Sequence, residues 1–419
     1  MSNELSRTPS GDRIHIGFFG LRNAGKSSLV NAVAGQALSI VSDIKGTTTD
    51  PVKKAMELLP LGPVLLIDTP GLDDEGELGA LRVERAMDAL EQCDAAVLVV
   101  DGAIGFQRRD RDFLERLKRE NLPYFIAYTK SDLFSASPGA PDDVCNTCNT
   151  LYVSARSGQG IEELKKRLAL LCQKEESGRR IVGDLLQAGD LAVLVTPIDA
   201  SAPKGRLILP QVQTIRDILD SRAACLVTQT EQLPGLLKNL SKPPKLVITD
   251  SQDFHQVKNI IPEELPLTSF SILMARYKGI LETCAAGASR LSDLRDGDAV
   301  LISEGCTHHR QCQDIGTVKL PAWIRNFTGI KNPRFQFTSG GEFPRDLSPY
   351  ALVIHCGACM LGEREARSRL RRAREQNISF TNYGVAIAYM NGILERSLRP
   401  LGMKIKNKSE RWESETGEI

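Results

Sequence analysis

The sequence predicts an α/β fold in three domains, and three observations carry that expectation. Residues 14–19 form an apolar run that ends in a glycine-bounded loop and continues with helical periodicity. From Leu191 onward, short apolar runs alternate with amphipathic ones. Two further apolar runs, residues 300–303 and 351–354, each open into a cluster of cysteine and histidine. Strands alternating with helices imply βαβ units and parallel sheets. The 419 residues suffice for roughly two to four domains, and their limits are expected at 1–175, 176–268 and 269–419.

Composition bounds the function. With 42% hydrophobic and 25% charged residues the chain can bury real cores. Its 53 basic and 52 acidic side chains nearly cancel, so no global charge points to nucleic acid or to a membrane surface. The first twelve residues are polar, which argues against a signal peptide. No apolar run approaches the ~18 residues of a membrane span, and a soluble, cytoplasmic protein is expected. Ten cysteines without an export signal suggest ligands or buried thiols rather than a disulfide framework. Cys93, Cys172, Cys225 and Cys284 sit in apolar neighbourhoods and read as core residues. Cys145 and Cys148 form a CxxC in a loop rich in Pro, Asp and Asn, with no matching pair of ligands nearby.

The first loop reads Gly20-Leu21-Arg22-Asn23-Ala24-Gly25-Lys26-Ser27-Ser28. A strand, a glycine-bounded loop with Gly-Lys-Ser and a helix are the context of a phosphate-binding loop. Its amides and the helix N-terminus would cradle the phosphates, Lys26 would reach the β and γ oxygens, and Ser27 would ligate Mg²⁺. Companion motifs follow in order. Residues 64–67 read as a strand closed by Asp68-Thr69-Pro70-Gly71, with a carboxylate for the magnesium side and a glycine amide for the γ-phosphate. Residues 95–100 and 125–128 are further strands. The latter leads to Thr129-Lys130-Ser131-Asp132, where the Asp132 carboxylate can accept both guanine N–H protons that adenine lacks. Val153-Ser154-Ala155-Arg156 is placed to cap the base through backbone N–H, and Gly46-Thr47-Thr48-Thr49-Asp50 is the candidate first switch.

Over residues 12–175 these five motifs resemble the translation-factor-like P-loop GTPases, within them the tRNA-modification and ribosome-assembly branch. The resemblance implies that Thr48 ligates Mg²⁺ and senses the γ-phosphate, and that Asn23 accompanies K⁺ activation. Lys26, Thr48 and Gly71 are then the residues acting on the γ-phosphate. Thr129 stands where Asn is commoner. Leu72 stands where Ras-like enzymes place a water-orienting glutamine, so intrinsic hydrolysis should be slow.

Residues 160–172 read as the closing helix and residues 173–180 as a polar linker. In the middle region, runs at 191–195, 224–228 and 245–249 alternate with helical stretches at 212–219 and 233–240. It carries no dense acid, base or thiol cluster, which suits a spacer or assembly surface. The apolar stretch between Pro203 and Pro210 suggests an edge element that pairs with another subunit. In the third region residues 281–291 and 385–394 read as helices, Arg-rich residues 363–375 as a helix with a solvated face, and the polar residues 404–419 as a mobile tail.

Cys306-Thr307-His308 is separated by forty-six residues from His355-Cys356-Gly357-Ala358-Cys359. Neighbouring parallel strands would bring both clusters to one sheet edge, where α/β ligands bind. Three thiols and two imidazoles suit zinc or an iron–sulfur cluster, and spacing leaves both open. Cys312 is a further thiol in an ordinary Gln-Cys-Gln setting. The whole arrangement, with the stretches Ser339-Gly340-Gly341-Glu342-Phe343-Pro344, Ser271 to Gly279 and Thr381-Asn382-Tyr383-Gly384, resembles the maturation GTPases of the FeFe-hydrogenases, the HydF family. That resemblance implies GTP and GDP as nucleotides and a [4Fe-4S] cluster held by Cys306, Cys356 and Cys359. His308 or His355 would serve as a fourth ligand or hydrogen-bond to the ligands. It also implies a scaffold that carries a di-iron subcluster precursor to apo-hydrogenase, two radical-SAM maturases as partners, and a homodimer through the middle domain, with no nucleic-acid or membrane partner. The alternatives are an RNA-binding ribosome-assembly or tRNA-modification GTPase with a structural zinc, and a cysteine-dependent enzyme fused to a GTPase.

Overall fold

The computed structural model describes residues 8–35, 51–73, 76–133, 150–172, 179–197, 207–305 and 314–404. It divides into two compact units, 1–177 and 178–419.

The first unit follows the order β1 (Ile14–Phe19), α1 (Lys26–Ala34), β2 (Val52–Leu58), β3 (Gly62–Asp68), α2 (Gly76–Gln92), β4 (Ala95–Asp101), α3 (Arg108–Arg119), β5 (Tyr124–Thr129), β6 (Thr150–Tyr152) and α4 (Ile161–Leu171). The strands form one sheet in the order β2-β3-β1-β4-β5-β6. Only β2 runs antiparallel, against β3. The period-2 alternation of β1 sorts its side chains onto two faces. Ile16 and Phe18 pack with Leu29, Val97 and Leu164, whereas Phe19 packs with Leu65, Leu90, Leu98 and Phe113. Burial on both faces is why β3, β4 and β5 read as continuous apolar runs. The edge strand β2 was not expected: its Lys53, Lys54 and Glu57 break the apolar signal, as charges on exposed edges do. Cys93 and Cys172 are buried as expected.

The second unit contains both further α/β regions. Its first sheet comes from β7 (Leu191–Val195), α5 (Leu209–Asp220), β8 (Ala224–Thr228), α6 (Leu233–Asn239), β9 (Leu246–Thr249), α7 (Phe254–Ile260) and β10 (Leu267–Ser269). Helices α8 (Phe270–Tyr277) and α9 (Leu281–Ala288) lead to the second, built from β11 (Ala299–Ser303), α10 (Leu320–Thr328), β12 (Arg334–Thr338), β13 (Leu352–His355), α11 (Glu363–Glu375) and β14 (Ser379–Asn382). Two helices, α12 (Tyr383–Met390) and α13 (Leu394–Leu398), close the unit. The sheet orders are β10-β9-β7-β8 and β12-β11-β13-β14, and every strand pair in both is parallel. One core joins them: Val193 and Val247 from the first sheet and Phe254 from α7 pack in the same cluster as Val300, Leu352 and Phe380 from the second sheet.

Three local expectations change. Residues 385–394 are not one helix, because the chain turns at Gly392 in the left-handed region (φ 70°) between α12 and α13. The stretch ending at Pro210 is not an edge strand in its described part, since Leu209 and Pro210 open α5 with proline in the first turn. The outer strands are β10 and β8, and β8 leaves Leu226 and Val227 exposed. Finally, α11 is not simply solvated: Glu365, Ala366, Arg369, Leu370 and Ala373 are buried along it.

Candidate nucleotide site and metal centre

In the first unit the phosphate-binding loop turns directly after β1. Gly20 has to be glycine, because a Cβ there would lie 2.1 Å from the Val99 carbonyl oxygen. Lys26 folds back over the loop, its Nζ donating to the carbonyls of Gly20 (3.1 Å) and Leu21 (2.8 Å). Asn23 adopts φ 62°, and Gly25 caps α1 from the left-handed region, so Ser27 and Ser28 stand in the helix's first turn. The Asp68 carboxylate at the end of β3 accepts from Ser27, and burial nevertheless pushes its pKa up against that bond and the pull of Lys26 and Lys54. Its Oδ1 is buried with no hydrogen-bond partner. A buried, unpartnered carboxylate oxygen beside a serine hydroxyl is the donor set a hard cation requires, so the residues fit Mg²⁺.

The loop after β3 touches the phosphate-binding loop. Leu72 donates its N–H to the Gly20 carbonyl (3.2 Å), and a Cβ on Gly71 would come within 3.1 Å of the Arg22 nitrogen. Asp73, which sequence reasoning missed, accepts from Arg22 N–H at 2.6 Å. Thr129 closes the other side: its buried Oγ1 donates to the Ala24 carbonyl at 2.6 Å, tying the guanine motif to the phosphate loop. A hydroxyl therefore serves at a position where an amide side chain is commoner. Lys130, at φ 60°, pairs with Asp101. Asp132 is hydrogen-bonded by Ser154, which holds its carboxyl below the ordinary range. Ser154 gives its own N–H to Gln159 O (2.9 Å), which leaves Ala155 as the candidate for the base-capping amide. The first-switch residue Thr48 lies outside the described residues.

In the second unit β11 and β13 are neighbours, with Ser303 in register with His355. From β11 the chain passes to β12 on one side, and from β13 to β14 on the other. The crevice at the carboxyl ends of two such strands is where open α/β sheets bind ligands. There the Cys356 thiol accepts N–H bonds from Gly305 (3.0 Å) and Ala358 (3.4 Å). The second of these depends on Ala358 holding φ 55°, an uncommon conformation for a residue with a Cβ. Gly305 admits the loop because a Cβ would lie 2.7 Å from the Leu361 side chain. Burial raises the pKa of both thiols, that of Cys359 to about 12 with Cys356 adding to the effect, while Lys278 pulls the other way. Amide donors aimed at a sulfur, next to a buried cation, are what a thiolate ligand needs, so Cys356 and Cys359 fit a metal. Cys306 and His308 lie outside the described residues, as do Cys145, Cys148 and Cys312.

His355, the last residue of β13, is 1% exposed and held on both sides. Its Nδ1 lies 3.0 Å from the Cys356 carbonyl oxygen and its Nε2 3.0 Å from Arg369 Nη1. Burial, then the Arg369 charge, push its pKa down to about 3 against the bond to Cys356. Sequence reasoning missed Arg369 and also Lys278, which is buried and donates to the Leu361 carbonyl at 2.7 Å. A signal for Arg369 did exist, because it falls on the helical stripe of Ala366, Leu370 and Ala373.

Comparison with known proteins places these units. Residues 15–130 match the family model of the 50S ribosome-binding GTPase. Residues 181–279 match the hydrogen maturase F dimerization domain, and residues 282–400 its tetramerization domain. Over its N-terminal part the chain is similar to the tRNA modification GTPase MnmE of Nitrosomonas europaea, at 38% identity over 156 residues, 37% of this chain and 34% of that protein. It is also similar to GTPase Der of Kosmotoga olearia, at 31% over 176 residues, 39% of this chain and 40% of that protein. The chain thus spans about a third of the length of the curated relatives it matches first. Among solved structures, an Era variant from Aquifex aeolicus bound to GDP·AlF4⁻ is 20% identical, covering 54% of this chain and 98% of that one with a TM-score of 0.33.

A phosphate loop, a buried carboxylate and a guanine motif on one sheet define a GTPase domain, here joined to regions that match dimerization and tetramerization domains. The two maturase models together span more than half of the sequence, and the chain belongs to the hydrogen maturase F family. An RNA-binding GTPase with a structural zinc is not favoured by these matches. Among the described residues, no helix is long and apolar enough to cross a membrane.

Proposed function

We propose that this GTPase is a scaffold that holds a [4Fe-4S] cluster through Cys306, Cys356 and Cys359, and assembles and delivers a di-iron precursor to apo FeFe-hydrogenase. The observation that supports it most is the Cys356 loop, bent at Ala358 so that two amides meet one sulfur at a sheet's switch point. When bound, such a cluster supplies iron with one position not capped by cysteine, which suits exchange of a labile metal cargo.

In the first unit Lys26 neutralises the β and γ oxygens, Ser27, Thr48 and Asp68 hold Mg²⁺, Gly71 offers its amide to the γ-phosphate, and Asp132 selects guanine. With Leu72 after the Asp-Thr-Pro-Gly motif, no side chain there orients water, and Asn23 fits K⁺ activation. Nucleotide state would govern association with the radical-SAM maturases through the segments around Thr48 and Gly71; equal maturase binding with GTP and with GDP would refute that coupling. The exposed apolar strand β8 suits the homodimer contact. The scaffold reading is tested by absorption and EPR spectra of anaerobically reconstituted protein. A [4Fe-4S] signal is expected; colourless protein holding zinc and no iron would sink it.

A further inference from the structure

Arg369 is 3% exposed and makes contacts on three segments. Its Nη1 meets His355 Nε2 at 3.0 Å, while its Nη2 donates to the Gly340 carbonyl (2.6 Å) and to Glu365 (2.8 Å). Its guanidinium also lies over the Phe343 ring, 5.3 Å from the centroid. Arg372, one turn along α11, approaches the same ring at 5.6 Å and donates to the Phe343 carbonyl at 3.0 Å. The segment 339–344, singled out by its sequence yet unused by the chemistry above, is thus strapped onto α11. The imidazole of His355 sits between Phe380, stacked at 6.0 Å and 23°, and Phe343, tilted at 6.4 Å.

The protonation state follows from chemistry. Arginine has donors only, so His355 Nε2 must offer its lone pair and the ring proton must sit on Nδ1. That proton points to the Cys356 carbonyl, at 3.0 Å. With both nitrogens engaged, the ring has no lone pair to give a metal. We infer that Arg369 is a positioning residue of the cysteine loop, locking His355 in the Nδ1–H form so that the ring braces the Cys356 carbonyl instead of ligating metal. An arginine that merely paired with Glu365 would leave the tautomer of His355 undetermined.

The inference rests on the scaffold reading only where iron is measured, and its test separates the two. The chain contains five histidines, so ¹⁵N-imidazole spectra of the full, metal-free protein are tractable, with His355 identified by its loss in His355→Asn. The Nδ1–H neutral form is expected, and an Nε2–H form would overturn the inference. In Arg369→Gln, whose amide oxygen can accept from the ring as well as its nitrogen donate, His355 should leave that form. Iron and sulfide retained against a chelator should fall about ten- to hundredfold, the usual effect of losing a contact that supports a ligand. A wild-type tautomer together with wild-type retention in that variant would overturn the inference. On the loaded protein, a strongly coupled ¹⁵N-histidine signal that disappears in His355→Asn would do the same. If the wild-type protein takes zinc and no iron, the scaffold reading fails while the tautomer measurement still decides the role of Arg369.

Discussion

The two candidate sites sit at the carboxyl ends of parallel strands, yet they are built differently. The nucleotide site is made of backbone and of side chains that belong to its own short motifs: Lys26 folds onto carbonyls of its own loop, and Asp68 and Thr129 are each the last residue of a strand. The cysteine site places two thiols in a loop and stabilises that loop with groups from other elements, Lys278 at the C-terminal end of α8, Arg369 in α11 and Phe343 between strands. Binding a phosphate needs amides and a cation, which a single turn can supply. Holding a metal on buried thiols needs neutralising charge and a fixed loop, which one turn cannot.

If the contrast is right, the two sites fail separately. Replacing Lys26 by Ala should lower GTP hydrolysis by at least about a hundredfold, because it removes the cation at the transferring phosphate. Iron content after reconstitution should stay at the wild-type level, and a parallel fall would show that the sites are not independent. Cys356→Ser reverses the pattern. It should lose the cluster by absorption and EPR while GTP turnover stays within about twofold, since α1 and β3 are untouched; loss of both activities would point to a mainly structural loop.

A smaller effect sharpens the view that backbone ties build the nucleotide site. Thr129→Val keeps the shape but removes the proton donated to Ala24 O, leaving a buried carbonyl with one partner fewer. At about 1 kcal/mol for such a bond, guanine-nucleotide affinity should drop several-fold, read by calorimetry. Unchanged affinity would mean the tie is incidental.

The smallest effect concerns Asp110, the buried carboxylate at the start of α3. Burial pushes its pKa up to about 6 even though Gln107 N–H donates to it, and its Oδ1 has no partner. The folded protein therefore holds this proton more tightly than the unfolded chain does. The associated stability is full below about pH 4, is lost as pH rises through 6, and then stays level. Asp110→Asn should stabilise the first unit at pH 8 by about 1–2 kcal/mol, with the gain shrinking towards pH 4 in urea unfolding. An equal gain at both pH values would assign it to packing instead of charge.

What could be read from sequence follows the same division. The phosphate loop, the Asp68 carboxylate and the guanine motif are legible because each is a contiguous run of residues at the end of a strand; Asp73, which reaches across to Arg22, escaped. The two strands that deliver the cysteine clusters were also legible, because apolar runs before a loop mark parallel strands. Arg369 was not. Its pairing with Glu365 has the same i,i+4 spacing as the exposed Arg367–Glu363 pair, so charge pattern alone cannot separate a surface pair from a buried brace. The break at Gly392 was missed because the apolar periodicity continues on both sides of it.

The core shared by the two sheets of the second unit makes them one mechanical body. Cys359 rests against the cluster that contains Leu194, Ile248, Leu273 and Met274, and α8, which carries the last two, is capped by Ser269 at the end of β10. The cysteine loop therefore rests against a helix that starts where the middle sheet stops. Amide exchange along α8 should quicken when the loop is loosened, and a contact made on the middle sheet would reach the cysteine loop through that helix.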